Sequence, residues 1–160
     1  MNPKTLHDRL STNLGILKHK IEIENSSNNL SLNLLLETTF LSILNIIFDY
    51  KCTNTNSKKN NFSGIDGDDD DKQLMEQVTS TFTVDKIEKT IKKINVNKLY
   101  EPYDQLLFLL LKDKGTLSRA SKEKLTTLID GKFVLDFDKG IMGTNDFYRL
   151  LVTESNLHKI

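Results

Sequence analysis

The stretch that most restricts the fold is QLLFLLL, residues 105–111, which is apolar at every position after the first. Six consecutive apolar residues between polar flanks favour a strand buried on both faces, because successive side chains in a strand point to opposite sides. Such strands are typical of the middle of a sheet that helices cover on both faces. A short buried helix is the competing interpretation. We therefore expect an α/β fold with this segment near its centre.

Hydrophobic periodicity places helices and shorter strands around this segment. The predicted helices are Lys4 to Glu22, Asn33 to Asp49 with Asn33 as N-cap, Val84 to Ile94 with Thr83 as N-cap, Ser118 to Ile129, and Asn145 to His158 with Thr144 or Asn145 as N-cap. The other predicted strands lie around Cys52, at Phe62 to Gly67, at Gln73 to Ser80 after a turn at Asp68 to Lys72, and at Lys132 to Phe137. The order α-α-β-β-β-α-β-α-β-α predicts a mixed central sheet flanked by helices.

Composition narrows the class of protein. The 160 residues suggest one domain over residues 1–160, and the formal net charge of zero gives no overall electrostatic argument for nucleic acid. The single cysteine, Cys52, excludes an intrachain disulfide and fits a reducing compartment. The N-terminus lacks the apolar run of a signal peptide, and Leu30 to Tyr50 is too polar to span a membrane. We expect a cytoplasmic protein with no membrane partner.

Four consecutive aspartates, Asp68 to Asp71, precede the third predicted strand. We expect all four side chains to lie in water, since adjacent like charges repel. A calcium-binding loop counted from Asp66 would need glycine at position 71 and glutamate at position 77, where this chain has Asp71 and Gln77. The sequence therefore excludes that calcium site.

Four polar residues lie where the predicted elements can converge. Glu37 falls on the apolar stripe of the second helix, where a carboxylate is costly unless it is paired or bound to metal. Asp66 precedes the hairpin turn, Gln77 lies on the returning strand, and Lys86 lies in the first turn of the next helix, against the helix macrodipole. Each has a simpler interpretation. Glu37 could form an ion pair or lie at the solvated edge of its stripe, and Asp66 could be an ordinary turn aspartate. Gln77 could be a core glutamine with satisfied hydrogen bonds, and Lys86 could be a solvated lysine.

The order helix, three strands, helix, strand resembles the αβββαβ core of the PD-(D/E)XK nuclease-like (restriction-endonuclease-like) fold. In that fold a motif aspartate and an E/Q-x-K strand line a cleft that binds a divalent metal. Asp66 and Gln77 match the first two motif positions, whereas Thr79 stands where the motif has lysine. Resemblance to variants whose lysine has moved to the next helix assigns that role to Lys86.

The chain more closely resembles the bacterial SMEK domain family, from Asn13 to about Leu151. The segments that carry the resemblance are LNLLLETTFLSILNIIFDY, GIDGDDDDKQLMEQVTS and TVDKIEKTI, followed by YDQLLFLLLKD and FVLDF. The most specific pattern is GID…D…QVTS…KIE, at residues 64–66, 69, 77–80 and 86–88. The resemblance implies a module of prokaryotic conflict proteins that is often joined to NTPase or other effector regions, either as the N-terminal part of a longer protein or as a stand-alone version.

Together these resemblances imply a metal-dependent endonuclease that cleaves DNA as an effector of antiphage defence. They imply that Asp66 binds Mg²⁺ or Mn²⁺ directly, Gln77 binds it through its carbonyl oxygen, and Glu37 binds a metal-bound water or a second ion. Lys86 would orient the attacking water or stabilise charge on the phosphate. The lysines expected to contact the nucleic-acid backbone are Lys58, Lys59, Lys89, Lys92 and Lys93, and a solubilising surface is their alternative interpretation.

Two other functions compete with the nuclease. The first is a non-catalytic module on the same fold that binds nucleic acid or a partner protein, and both the zero net charge and the missing strand lysine favour it. The second is an oligomerisation domain, with the first helix as the interface of a homodimer. The four polar residues distinguish these possibilities, because only the nuclease requires them to share one cleft.

Overall fold

A mixed sheet of five strands runs through the part of the chain that the computed structural model describes, residues 2–27, 31–55 and 64–153. The strands are β1 (Thr53–Asn54), β2 (Gly67–Asp69), β3 (Leu74–Thr79), β4 (Gln105–Leu110) and β5 (Ile141–Met142), and they lie side by side in chain order. β1, β2 and β3 pair antiparallel, whereas β3, β4 and β5 pair parallel. The prediction of an α/β fold with a mixed sheet is confirmed over these residues.

Helices cover both faces of the sheet. The described helices are α1 (Pro3–Ser26), α2 (Ser31–Phe48), α3 (Val84–Val96), α4 (Arg119–Ile129) and α5 (Thr144–Leu151). Apolar residues of α3 and α4 pack with one set of sheet residues, and those of α1, α2 and α5 pack with a second set. The parallel crossovers through α3 and α4 therefore lie on one face, and the two N-terminal helices with α5 lie on the other.

β4 lies between these two apolar layers, as its sequence predicts. Phe108 is fully buried against the layer that contains α3 and α4, and Leu109 is buried in the opposite layer. β4 pairs with β3 along its whole length, with Gln77 opposite Phe108. The apolar run from Leu106 to Leu111 is thus explained by a central strand with no solvent-facing side.

α3 carries the clearest local folding signals. The Thr83 hydroxyl accepts a hydrogen bond from the Lys86 backbone N–H at 3.1 Å, which confirms the predicted N-cap. Ile87, Ile91 and Ile94 form its buried stripe. Its lysines consequently lie on the other sides of the helix, around the cleft described below.

The hairpin between β2 and β3 differs from the prediction. The described part of the predicted strand Phe62 to Gly67 is not a strand before Gly67, and the turn occupies residues 70–73 rather than Asp68 to Lys72. Asp68 and Asp69 belong to β2 and are buried, so the expectation that all four aspartates are solvated is wrong for these two and right for Asp70 and Asp71. Phe62 itself lies outside the described residues.

Hydrogen bonds from other elements explain why these two carboxylates are tolerated inside the protein. Asp68 accepts hydrogen bonds from the Thr53 hydroxyl at 2.9 Å and from the Tyr103 hydroxyl at 2.8 Å. Asp69 accepts from the backbone N–H groups of Lys51 at 2.6 Å and Lys72 at 3.0 Å. Partners that approach from β1 and from the segment before β4 therefore outweigh the local repulsion between neighbouring acids.

Other boundaries also shift. α2 begins at Ser31, so Asn33 is not its N-cap, and α5 begins at Thr144 after a Gly143 N-cap. The predicted strand Lys132 to Phe137 is reduced to an isolated bridge between Val134 and Gln105, and β5 comes later. The reason is a turn in which the Asp136 carboxylate accepts two backbone N–H groups, those of residues 138 and 139. The predicted last helix beyond residue 153 lies outside the described residues.

Over the described residues, no helix combines the length and the apolar character that crossing a bilayer requires.

Candidate active-site cleft

A cleft of about 530 Å³ opens between the start of β2, the end of β3 and the lysine-rich side of α3. Asp66, Gln77, Lys86 and Lys93 all line it. Because β2 runs antiparallel to β3, the residue before β2 lies beside the carboxyl end of β3. The hairpin register therefore brings Asp66 and Gln77 together at one edge of the sheet.

Asp66 is fixed by backbone and side-chain hydrogen bonds. Its backbone N–H donates to the Glu76 carbonyl at 2.8 Å, and its own carbonyl accepts from the Thr55 N–H at 3.0 Å. Its carboxylate accepts from the Val78 N–H at 2.8 Å and from the side-chain amide of Gln77. Burial raises the pKa of Asp66 to about 6, while the Val78 hydrogen bond and the charges of two lysines oppose that rise.

Gln77 lies on β3 and is nearly fully buried. Its amide nitrogen donates to the Asp66 carboxylate and to the Val78 carbonyl, the latter at 3.2 Å. The amide group therefore orients the carboxylate beside it. Its carbonyl oxygen accepts no hydrogen bond from the described residues, which leaves one neutral oxygen for a ligand.

Lys86 provides positive charge to this edge of the sheet. It lies in the first turn of α3, where the Thr83 cap fixes the backbone. Its ammonium group lowers the pKa of both Asp66 and Glu37. It forms no ion pair within the described residues, so its charge remains available to a ligand.

Glu37 comes from α2, on the opposite side of the sheet from α3, and is half-buried. Burial is the main cause that raises the pKa of Glu37 to about 7, and the charge of Asp66 raises it further, whereas Lys86 lowers it. Glu37 and Asp66 thus interact electrostatically and share the influence of one lysine. We refer to Glu37 and Asp66 as the carboxyl pair.

The structure brings three of the four predicted site residues into one cleft, and the fourth into electrostatic contact with two of them. Of the lysines predicted to contact a nucleic-acid backbone, Lys89, Lys92 and Lys93 line the cleft. Lys89 pairs with Asp85 at 2.8 Å, and Lys92 pairs with Glu88 at 2.6 Å. Lys58 and Lys59 lie outside the described residues. The roles of all these residues remain predictions.

The donor groups at the cleft are compatible with Mg²⁺. Within the described ranges, no three Asp, Glu, His or Cys residues are arranged as a metal cluster. Mg²⁺ needs less than that, because it binds proteins through one or two carboxylates and retains several waters. The carboxyl pair and the free carbonyl oxygen of Gln77 are hard oxygen donors, and burial is the main cause of the raised pKa values of the pair.

Thr90 and Gly64 are among the cleft residues that the sequence did not assign to the site. Thr90 is buried on α3 and lines the cleft. The sequence feature that could have identified it is a polar residue next to Ile91 on the apolar stripe. Gly64 has a φ of 137°, and a β-carbon there would lie 3.0 Å from the β-carbon of Lys93. The sequence feature that could have identified Gly64 is the GID segment, whose glycine allows the loop to approach α3 closely.

Fold and cleft together define an α/β domain with a mixed sheet and an acid-, amide- and lysine-lined cleft at the sheet edge. The SMEK domain family matches residues 9–152, and the chain belongs to this family. No curated protein and no solved structure matches the chain.

Proposed function

We propose that this SMEK domain is a metal-dependent endonuclease that cleaves phosphodiester bonds in DNA. The observation that carries the proposal is the meeting of Asp66, Gln77 and Lys86 in one cleft, with Glu37 coupled to it by charge. A carboxyl pair beside a free ammonium group suits a phosphate ester, whose reaction needs both a cation and a donor to the developing negative charge.

The order of elements supports a PD-(D/E)XK-like core. α2, β1, β2, β3, α3 and β4 follow one another over the described residues in the order αβββαβ. Asp66 directly precedes β2 and Gln77 lies on β3, the adjacent strand of the hairpin, which is similar to the arrangement of the two motif positions of that fold. Thr79 replaces the motif lysine on β3, and Lys86 supplies the positive charge from α3 instead.

Each residue has a distinct role in the proposed reaction. Asp66 and Glu37 would hold the ion as carboxylates, and the carbonyl oxygen of Gln77 would add a neutral contact, while the Gln77 amide group orients Asp66. A bound Mg²⁺ or Mn²⁺ supplies Lewis-acid chemistry that makes water a stronger nucleophile at neutral pH. Lys86 donates to the phosphate oxygens and stabilises the negative charge that develops on them.

Plasmid cleavage in Mg²⁺ or Mn²⁺ tests this function. Asp66→Asn keeps the size of the side chain but removes a charge, and Lys86→Gln removes the ammonium group. We expect each to reduce the cleavage rate roughly 100-fold or more, as the loss of one preorganised charged group does. Asp138→Asn, which removes an exposed aspartate far along the chain, is the matched control and should cleave normally.

Isothermal titration with Mn²⁺ provides a readout that does not depend on catalysis. We expect Asp66→Asn to lose most of the ion affinity, while far-UV circular dichroism shows a retained fold. Cleavage at the normal rate by Asp66→Asn would refute the assigned site.

A non-catalytic nucleic-acid-binding module is the second candidate, and one observation favours it. Gln77 supplies an amide where a carboxylate would bring more negative charge to the ion, and this amide donates to Asp66. Binding of DNA or RNA without cleavage in Mg²⁺, Mn²⁺ or Ca²⁺ would support this module and exclude the nuclease.

The biological setting we infer is antiphage defence in the cytoplasm. The expected place of such domains in prokaryotic conflict proteins supports this setting, and the free, buried thiol of Cys52 suits a reducing compartment. Plaque counts on cells that express the intact protein test it: protection that disappears in Asp66→Asn is expected, and equal protection by both would refute an effector role for the cleft.

A further inference from the structure

The lysines along α3 differ in how strongly acidic neighbours hold them. Lys89 pairs with Asp85 at 2.8 Å, and Lys92 pairs with Glu88 at 2.6 Å. Lys93 also lines the cleft, and it forms no ion pair within the described residues. Together with Lys86, it is a cation that remains available to a ligand.

Lys86 and Lys93 lie at opposite ends of the cleft wall. Seven residues separate them, which corresponds to two helical turns and about 10.5 Å along the helix axis. Both charges lower the pKa of Asp66, so both ammonium groups act on the same side of the molecule. Two lysines whose backbones stand two turns apart on one wall can hold two phosphate groups at once.

The loop before β2 passes close to the base of the Lys93 side chain. The loop before β2 approaches α3 at Gly64, whose φ of 137° suits glycine. A β-carbon at this position would lie only 3.0 Å from the β-carbon of Lys93. Only glycine fits at position 64, and the backbone there passes close to the first carbon of the Lys93 side chain beside the cleft.

We propose that Lys93 forms a second phosphate subsite, so that the cleft takes a nucleic-acid strand that extends beyond the reacting phosphate. The inference rests on the proposed function for the identity of the ligand. In a DNA duplex each strand carries one phosphate per about 3.4 Å of helix axis, so two lysines with backbones about 10.5 Å apart leave room for a strand with more than one phosphate. A mononucleotide or inorganic phosphate reaches Lys86 alone.

Binding of fluorescent single-stranded DNA in EDTA tests this subsite without any cleavage. The probes are a dinucleotide and an octanucleotide, and the proteins are the wild type, Lys93→Gln, Lys93→Arg and Lys124→Gln. Lys124 pairs with Glu88 on the far side of α3 and provides the matched loss of one positive charge. Far-UV circular dichroism establishes that each variant is folded.

The salt dependence of octanucleotide binding is the decisive measurement. Each phosphate contact contributes about 0.7 to the slope of log affinity against log salt concentration for single strands. We expect Lys93→Gln to lower this slope by about 0.7, Lys93→Arg to restore it, and Lys124→Gln to leave it unchanged. The dinucleotide should bind all four proteins alike.

The results separate the subsite from the nuclease proposal. Binding with the expected slopes but no cleavage supports the subsite and refutes the nuclease. Cleavage with equal slopes in Lys93→Gln and Lys124→Gln refutes the subsite and leaves the nuclease standing. Failure of the wild type to bind the octanucleotide also overturns the subsite.

Discussion

Glu76 is a carboxyl group in an unusually unfavourable position, and its replacement by glutamine gives a direct test of the fold. It lies on β3 with its side chain on the α2 face and is 1% exposed. No hydrogen bond of ordinary geometry reaches either of its oxygens. Burial raises the pKa of Glu76 to about 7, the nearby Cys52 thiol lowers it, and the charge of Asp69 raises it further.

The direction of the pH effect follows from the pKa of Glu76 in the unfolded chain, 4.5, and in the folded protein, about 7. Below pH 4.5 the group is neutral in both folded and unfolded chains, and its ionisation costs nothing. Between pH 4.5 and about 7 the unfolded chain releases the proton first, so the free energy of unfolding falls as the pH rises. Once ionisation in the folded state is complete, the loss reaches about 3 kcal/mol at 1.36 kcal/mol per pKa unit.

Urea unfolding followed by circular dichroism, in EDTA at pH 5 and pH 8, measures this effect. We expect Glu76→Gln to gain about 2.5 kcal/mol over the wild type between these two pH values, because the variant lacks the titrating group. A destabilisation that the buried amide causes equally at both pH values cancels when the two values are subtracted. The contributions of other acids cancel because the wild type and the variant share them. Glu101→Gln, at an exposed glutamate, is the control. A difference that is the same at both pH values would refute the buried, unpaired state of Glu76.

Three further predictions follow from the structure. Tyr103→Phe should lower the free energy of unfolding by about 1–3 kcal/mol in urea, because the buried Asp68 carboxylate loses the hydroxyl that lies 2.8 Å away. Gly143→Ala should unfold at a clearly lower urea concentration, since its β-carbon would lie 2.4 Å from a backbone nitrogen, whereas Gly15→Ala, in open space within a helix, should gain about 0.5–1 kcal/mol. Affinity for Mn²⁺ should rise from pH 5 to pH 8, because the carboxyl pair must lose protons with pKa values of about 6 and 7 to hold the ion; calorimetry that finds no pH dependence would contradict this.

The sequence predicted those elements whose signals are local and strong. The run from Leu106 to Leu111 identified the central strand, because a strand buried on both faces needs apolar residues at every position. Thr83 identified the start of α3, because a side-chain cap and its helix are adjacent in sequence. β5, with two residues, is too short to leave a periodic signal of its own.

The misplaced residues are those whose environment depends on distant segments. Four adjacent aspartates indicate a solvated turn only when partners from elsewhere are ignored, and Asp68 obtains such partners in Thr53 and Tyr103. The predicted hairpin, with Asp66 before its turn and Gln77 on its returning strand, was enough to predict that the two lie near each other. The hydrogen bond between them, and the electrostatic coupling to α2, depend on packing that no local pattern encodes.

The residues of the proposed site come from two separate parts of the chain. Asp66, Gln77, Lys86 and Lys93 all come from one continuous piece, residues 64–93, whereas Glu37 belongs to a separate N-terminal helix. That piece also supplies β3 and the buried stripe of α3, so a substitution that disturbs the core there also displaces the side chains of the cleft. Glu37 is the exception, because its helix belongs to the other apolar layer.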